Sequence, residues 1–531
     1  LKIEILDCTL RDGGYVNDWR FERSVISEIG QKLCQSQIEI IEGGFLSQKK
    51  KADYNQSIFS AIEDAENCFQ NCSERIALMI NCGEYNADDI PEYSNGKVTT
   101  IRIAFHKHQR SDAQELCVAL KSKGYKVFFQ PMVTMGYTDF ELLSLIEWAN
   151  EYVPDAFYIV DSFGTMRKED VLRMFFLIDN NLNNNIKVGF HSHNNLQLSF
   201  SNAQELILLA SKRTIMIDSS VFGMGRGAGN LCSELITRYI NENVESKYDV
   251  LPVLEIMDDY IMPIYNQHPW GYSAPYYIAA INNCHPNYAT YLMNLQTLCI
   301  KDINAIIRSI PTEKRNLFDQ ELIHQLYMDY QQKAVDDTDT VNSLTKLCVN
   351  HQVLLLAPGR SVSTYKDEIQ EFINVNNPLV ISINHIPLYF RYDRVFISNL
   401  KRFKNIDEAI SLIKEKVLFT SNISQVQTQN IINYSSYLND VDSIMDNAGL
   451  MLINLMKKIG VSSVTLAGYD GFVYSGTKNY YDDRMVNNVQ FEKQKQTNND
   501  IIEYFKKMRK SMDINFLTPS IYDNGESYAE V

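Results

Sequence analysis

The strongest constraint on the fold is a regular alternation through the first half of the chain. Short β-rich runs recur at residues 3–8, 38–42, 76–80, 99–104, 126–130, 156–160, 187–190 and 214–218. Amphipathic segments separate them, at 21–34, 56–69, 112–123, 139–152, 168–180 and 196–211. Eight strands alternating with helices predict an α/β fold of the (β/α)8 TIM-barrel kind, with an open doubly wound sheet as the alternative. The polar residues decide between them. Asp12, Glu42, Asn81, Gln130, Asp161, His191 and Asp218 all fall at or just after the C-terminal end of a β run. Only a closed barrel gathers those ends into one ring around a central site. The barrel is expected to end near Asn241.

Two of these strand ends carry residues with metal-ligating chemistry. Asp12 follows the first run, in Arg11-Asp12-Gly13-Gly14, and His191-Ser192-His193 closes the seventh. Side chains alternate along a strand, so the two imidazoles of an H-x-H project to one side. A carboxylate and two imidazoles brought together leave positions open on a divalent ion. Read singly, the histidines would serve equally well as ordinary polar residues of a strand-to-helix loop.

Residues 6–19 (LDCTLRDGGYVNDW), 41–45 (IEGGF), 159–165 (IVDSFGT), 189–195 (GFHSHNN) and 223–230 (GMGRGAGN) resemble the DRE-TIM metallolyases. Within that superfamily they are most similar to the 4-hydroxy-2-oxovalerate aldolases and the HMG-CoA lyase-like domain. The resemblance implies a divalent cation, Mn2+ or Mg2+ with Co2+ and Zn2+ as further options, that chelates a small 2-oxo acid or related carbonyl substrate. The cation would stabilise the enolate made when a C–C bond breaks or forms. It also implies Asp12, His191 and His193 as ligands, with Asn230 as a fourth or else a structural cap. Arg11 is expected to address the enolate oxygen as a permanently charged fork. Glu42 is expected to orient a metal water or ligand, or to accept a rim hydrogen bond, and Asp161 to support the substrate-carboxylate loop. The aldolases carry a His shortly after the R-D-G; Gly13-Gly14-Tyr15-Val16-Asn17 has none. Tyr15 stands in its place, although an ordinary phenol is a poor base at neutral pH. The motifs do not separate an aldolase from a synthase that condenses an acyl-CoA with a 2-oxo acid on the same barrel. The G-x-G-x-x-G spelled by residues 223–229 follows the eighth strand, so it does not predict a dinucleotide site.

Composition narrows the partners. A chain of 531 residues with 45% hydrophobic side chains can bury more than one core. A formal charge of −15 argues against nucleic acid and anionic membrane surfaces. No apolar stretch approaches the roughly 20 residues of a membrane span, and residues 1–5 read as a strand rather than a signal peptide. The ten cysteines are sparse and mostly inside apolar runs, which predicts buried free thiols and a cytoplasmic location. Association of the chain with copies of itself is also expected.

Three parts are expected: a barrel over 1–248, a helical extension over 249–346 that covers the barrel mouth, and a Rossmann-like α/β domain over 347–531. Within the extension, Tyr272 or Tyr276 either reaches the site or fills a helical core. In the last part, Ala357-Pro358-Gly359-Arg360-Ser361 follows a strand as a phosphate-binding turn would. Together with Leu466-Ala467-Gly468-Tyr469-Asp470 it resembles bacterial sialyltransferase-like and DUF115-type domains. That implies either an active transferase or a degenerate scaffold. A nucleotide or nucleotide-sugar ligand and a role in surface-polysaccharide or unusual-sugar assembly are expected on the first alternative.

Overall fold

The computed structural model describes residues 2–49, 55–72, 75–209, 211–349, 351–404, 413–423, 428, 430–472, 479–482, 485 and 491–524. The chain forms two compact units, Leu1–Thr290 with Pro311–Phe318, and Tyr291–Ile310 with Asp319–Val531. The helical stretch expected over 249–346 is therefore shared between the units. Pro252 and Pro275 each lie in the first turn of a helix in it, at Leu251–Ile256 and Ala274–Ile281. Proline suits that position because its missing N–H has no partner to lose there.

The first unit is a closed parallel barrel. Its strands are β1 (Lys2–Asp7), β2 (Ile40–Leu46), β4 (Ile76–Asn81), β5 (Val98–Phe105), β6 (Lys126–Pro131), β7 (Ala156–Asp161), β8 (Lys187–Ser192) and β9 (Thr214–Ser219). They run in the order β1-β9-β8-β7-β6-β5-β4-β2, and a β1–β2 pairing closes the ring. The short β3 (Ile58–Phe59) adds to β2 opposite Phe45 and Leu46. The amphipathic reading of 56–69 thus gives way to a strand followed by a helix at Ile62–Cys68. A β-branched and an aromatic residue pack well on a pleated surface, and here the pair extends β2 instead of starting the helix.

Alternation along each strand produces two cores. One set of side chains, including Ile3, Ile5, Ile101, Ile103 and Phe129, packs outward against the helices. The other points into the barrel as Leu6, Cys8, Ile40, Ala77, Phe128, Ala156, Tyr158, Val160 and Met216. The inner layer is filled unevenly. Tyr158 lies over Gly189, where a Cβ would stand 2.4 Å from its ring. A bulge in β2 between Glu42 and Gly44 shifts the register against β4, which redirects a side chain at a barrel rim. No disulfide joins the cysteines, and no helix among the described residues is long and apolar enough to cross a membrane.

The second unit contains a wholly parallel seven-stranded sheet: β10 (Val353–Leu356), β11 (Leu379–Ile383), β12 (Arg394–Ile397), β13 (Val417–Thr420), β14 (Ile431–Ile432), β15 (Ser463–Ala467) and β16 (Asp513–Phe516). The order β14-β13-β12-β11-β10-β15-β16 runs outward in both directions from β10, so the connections reverse between β10 and β15. That reversal is the topological switch point of a doubly wound sheet.

The Gly189–Tyr158 contact yields a direct test of the inner layer. Gly189→Ala should cost about 1–3 kcal/mol through overpacking, read from denaturant midpoints at unchanged slope. An unchanged midpoint would mean that Tyr158 does not occupy the position described.

Candidate active site

The site is built where the barrel strands end. Cys8 N donates to Ser219 O (2.7 Å), and the amides of Arg11, Asp12 and Gly13 all turn back to Cys8 O. This tight loop brings two adjacent charged residues over the barrel mouth. Trp19 holds it from outside by donating its indole N–H to Arg11 O (2.7 Å). Gly14 is required there, since a Cβ would meet the Trp19 ring at 2.1 Å.

From that loop a chain of alternating charges runs across the barrel interior. Arg11 Nη1 contacts Asp12 Oδ1 at 2.5 Å, and Arg11 Nε contacts Glu42 Oε2 at 2.8 Å. Glu42 Oε2 also lies 2.7 Å from Arg102 Nη1 as an ion pair. Arg102 Nη2 pairs with Asp218 Oδ2, and the same oxygen lies 3.0 Å from His191 Nδ1. Arg102 is fully buried, with its guanidinium 4.9 Å above the Tyr158 ring. Tyr158 in turn donates to Asp218 Oδ1 (3.1 Å).

This chain sets the orientation of the site residues. Asp218 Oδ2 accepts from His191 Nδ1–H, which leaves the Nε2 lone pair facing Asp12 Oδ1, 3.9 Å away. Asp12 Oδ2 lies 3.8 Å from His193 Nδ1 and accepts from Asn230 Nδ2 at 2.7 Å. Asp12, His191 and His193 each offer a ligand atom, all within 4.8 Å of one another. His193 Nδ1, Asn230 Oδ1 and Arg11 Nη2 are buried with no hydrogen-bond partner among the described residues. Buried polar atoms are ordinarily satisfied, so this cluster has the form of a cation site with substrate-facing donors beside it.

The electrostatics favour the ligating protonation states. Burial opposes ionisation of Asp12, but Arg11, His193, His191 and Arg226 hold its carboxyl well below the usual range. Burial pushes His193 down to about 3 against the pull of Asp12, and Arg226 adds to the shift. Asp218 is likewise lowered, because Arg102 and His191 outweigh its burial. An ionised carboxylate beside a neutral imidazole is the state in which both bind a metal.

The remaining expected residues take other places. Glu42 is fully buried between two guanidinium groups. Asp161 turns onto its own loop, accepting from Thr165 N (2.9 Å) and Met166 N (3.1 Å), while burial raises it to about 7. Tyr15 packs edge-on against Trp19 and Phe45, and burial raises its phenol. Tyr276 bonds Thr290 and Tyr272 packs on Tyr277. Trp270 is the aromatic residue of that segment that meets the glycine-rich loop, donating to Phe222 O (3.2 Å).

Several residues had no role assigned from sequence. Arg102 was hidden inside an apolar strand run, where a lone Arg was the only signal. Asn195 joins three mouth loops, donating to Phe163 O (2.9 Å) and accepting from Ala228 N (2.8 Å). Arg226 lies 5.3 Å over the Tyr15 ring, and its buried Nε has no partner among the described residues. His285, from the helical stretch, packs on Phe163. It is held well below the ordinary imidazole range by burial, with Arg226, His106 and His193 adding to the shift.

The family model described as HMGL-like matches residues 2–259. The barrel is an HMGL-like domain. It belongs to the DRE-TIM metallolyase superfamily and is an enzyme of the lyase/aldolase class. Among its relatives are 4-hydroxy-2-oxovalerate aldolases of Pseudoalteromonas translucida, 26% identical over 275 residues (50% of this chain, 78% of the relative), and of Thermomicrobium roseum, 28% identical over 273 residues (50% and 74%). The N-terminal domain of a Bacteroides vulgatus protein described as an aldolase is 27% identical. It covers 55% of this chain and 96% of that one at a TM-score of 0.49.

The charge chain makes Arg102 structurally critical. Arg102→Leu would strand Asp218 as a buried carboxylate without its guanidinium partner and leave Glu42 with Arg11 alone. Urea unfolding should show a loss of about 3–5 kcal/mol. A loss below about 1 kcal/mol, the scale of an exposed pair, would contradict the chain described here.

Proposed function

We propose that the barrel is a divalent-metal-dependent aldolase that cleaves or forms the C–C bond of a 4-hydroxy-2-oxo acid. The observation that carries this reading is the convergence of Asp12, His191 and His193 beside a buried Arg11 nitrogen with no hydrogen-bond partner among the described residues. Asp12, His191 Nε2 and His193 Nδ1 would hold the cation, with Asn230 Oδ1 as the fourth protein donor. A carboxylate, two imidazoles and an amide oxygen suit Mn2+ or Mg2+, and Co2+ and Zn2+ are compatible. When bound, the cation polarises the 2-oxo carbonyl and offsets the negative charge that builds on its oxygen.

The chain's own residues supply the rest. Arg11 is fixed at Nε by Glu42 and at Nη1 by Asp12, which leaves Nη2 to donate to the same oxygen. Arg226 is a second fixed cation, suited to the substrate carboxylate. Glu42 and Asp161 are positioning residues, the first for Arg11 and the second for the loop after β7. Tyr15, with its phenol raised, walls the site and donates hydrogen bonds instead of accepting a proton. His285 packs on the mouth loop, and its Nδ1 accepts from Asn287 N (3.1 Å), so the neutral ring carries its proton on Nε2 and offers a donor there. The names of the Pseudoalteromonas and Thermomicrobium relatives support the 2-oxo acid substrate class.

The test follows proton exchange as well as turnover. The full chain loaded with Mn2+ or Mg2+ should exchange the C3 protons of pyruvate in D2O and release pyruvate from a 4-hydroxy-2-oxo acid. Asp12→Ala should lose bound metal and both activities. Arg11→Lys should keep metal yet lose turnover on the order of 10²–10³-fold, the scale of one missing transition-state donor. Equal metal in wild type and Asp12→Ala would overturn the ligand set. Thiol release from acetyl-CoA with a 2-oxo acid, in place of aldol cleavage, would assign the barrel to condensation.

A further inference from the structure

The second unit has its own cavity, of about 520 Å3, at the carboxyl ends of β10, β11 and β15. Open α/β sheets bind ligands at this place, because the loops on either side of the switch point diverge there. Gly359, Asn384 and Asp470 line it from those three strand ends.

The loop expected to cradle a phosphate is filled by the protein itself. Asp470 accepts from Ser361 N at 2.7 Å and from Ser361 Oγ at 2.5 Å. A Cβ at Gly359 would lie 2.2 Å from Gly468 O and 2.6 Å from Asp470 Oδ1, so the turn closes tightly onto that carboxylate. An anion entering there would meet a negative charge where free N–H groups were expected.

The cationic group of the cavity is Arg402, on the loop side of β12. Only 9% of it is exposed. Its Nη2 donates to Met485 O (3.2 Å), and the guanidinium lies 5.0 Å over the Tyr480 ring. Nη1 has no hydrogen-bond partner among the described residues, and no carboxylate among them forms an ion pair with Arg402. A buried guanidinium without a counter-ion is costly unless a ligand completes it. The carboxylates of the cavity do not serve: Asp470 is engaged by Ser361, and Asp446 is held by the hydroxyls of Tyr327 and Tyr434. Asp442 is exposed.

The rest of the lining recognises neutral polar groups. Carboxamides outnumber charges, among them Asn294, Gln320, Asn384, Asn399 and Gln494. Asn384 is held in the left-handed region at φ 57°, with its Oδ1 accepting from Ser398 N (3.0 Å). Carboxamides offer donor and acceptor on one group, which matches vicinal hydroxyls. Tyr469 and Tyr480 add aromatic walls.

We propose that this cavity is a second ligand site, separate from the barrel chemistry, that takes a hydroxyl-rich phosphate ester with its phosphate on Arg402. The same chemistry is found in a sugar phosphate and in a nucleotide, and the experiment separates them. Its outcome does not depend on what the barrel catalyses.

Isothermal titration of the full chain with glucose 6-phosphate, with UMP and CMP, and with inorganic phosphate and glucose as controls tests the assignment. Saturable binding of either ester at one per chain is expected, at least tenfold tighter than phosphate or glucose. The tighter ester identifies the source. Arg402→Gln should weaken that binding at least tenfold while leaving barrel metal content unchanged. Hydrogen exchange on the wild-type chain guards against a misfolded variant, and residues 357–361 and 468–472 should gain protection with ligand. The proposal is overturned by no ester binding at 10 mM, by inorganic phosphate binding equally well, by an unaffected Arg402→Gln, or by protection confined to other segments.

Discussion

The first unit depends on one chain of buried charges. Asp12, Arg11, Glu42, Arg102 and Asp218 alternate in sign across the barrel interior and end on the Nδ1 proton of His191. Arg11 and Asp12 share the loop after β1, but Glu42, Arg102 and Asp218 come from β2, β5 and β9, so no local segment could assemble the chain before the barrel closes. Its three carboxylates and two guanidinium groups sum to one negative charge, which complements a divalent cation. A hydrophobic interior of the same volume would be as stable or more so. The charges are better understood as orientation: they fix which nitrogen of His191 is free and which nitrogen of Arg11 faces the substrate space.

The barrel was legible in the sequence because both of its signals are local. Strand alternation shows as eight spaced apolar runs, and a parallel barrel places functional side chains at the ends of those runs. Asp12, His191 and His193 were found in this way and Asn230 through the family resemblance, and the structure brings the four together. The partnerships were not legible, because they form across the barrel between residues far apart in sequence. Arg102 is 116 residues from Asp218, and nothing in the run Thr99-Thr100-Ile101-Arg102-Ile103 says which carboxylates it will meet. Glu42 and Asp161 were found too, but their partners were not. The first is enclosed by two guanidinium groups and the second by its own loop amides.

The second unit teaches a related lesson about strand-end motifs. Among its strands, β10 was marked by the apolar run that leads into Ala357-Pro358-Gly359. The edge strands β14 and β16 went unseen. Ile431–Ile432 is two residues long, and Asp513–Phe516 places only Ile514 in the buried class. The turn after β10 has the composition of an anion cradle, yet a carboxylate from β15's loop occupies it. The spacing of a motif fixes its backbone, while the residue that fills it comes from elsewhere in the fold.

The central claim is that Asp218, through His191 Nδ1, aims the ligating nitrogen of the site. Asp218→Asn keeps the shape and removes the charge that selects the tautomer. Metal titration of that variant, with circular dichroism to verify the fold, should show affinity for Mn2+ reduced about 10–100-fold, the range for a lost outer-shell partner. Affinity equal to that of the wild type in a folded variant would contradict the claim.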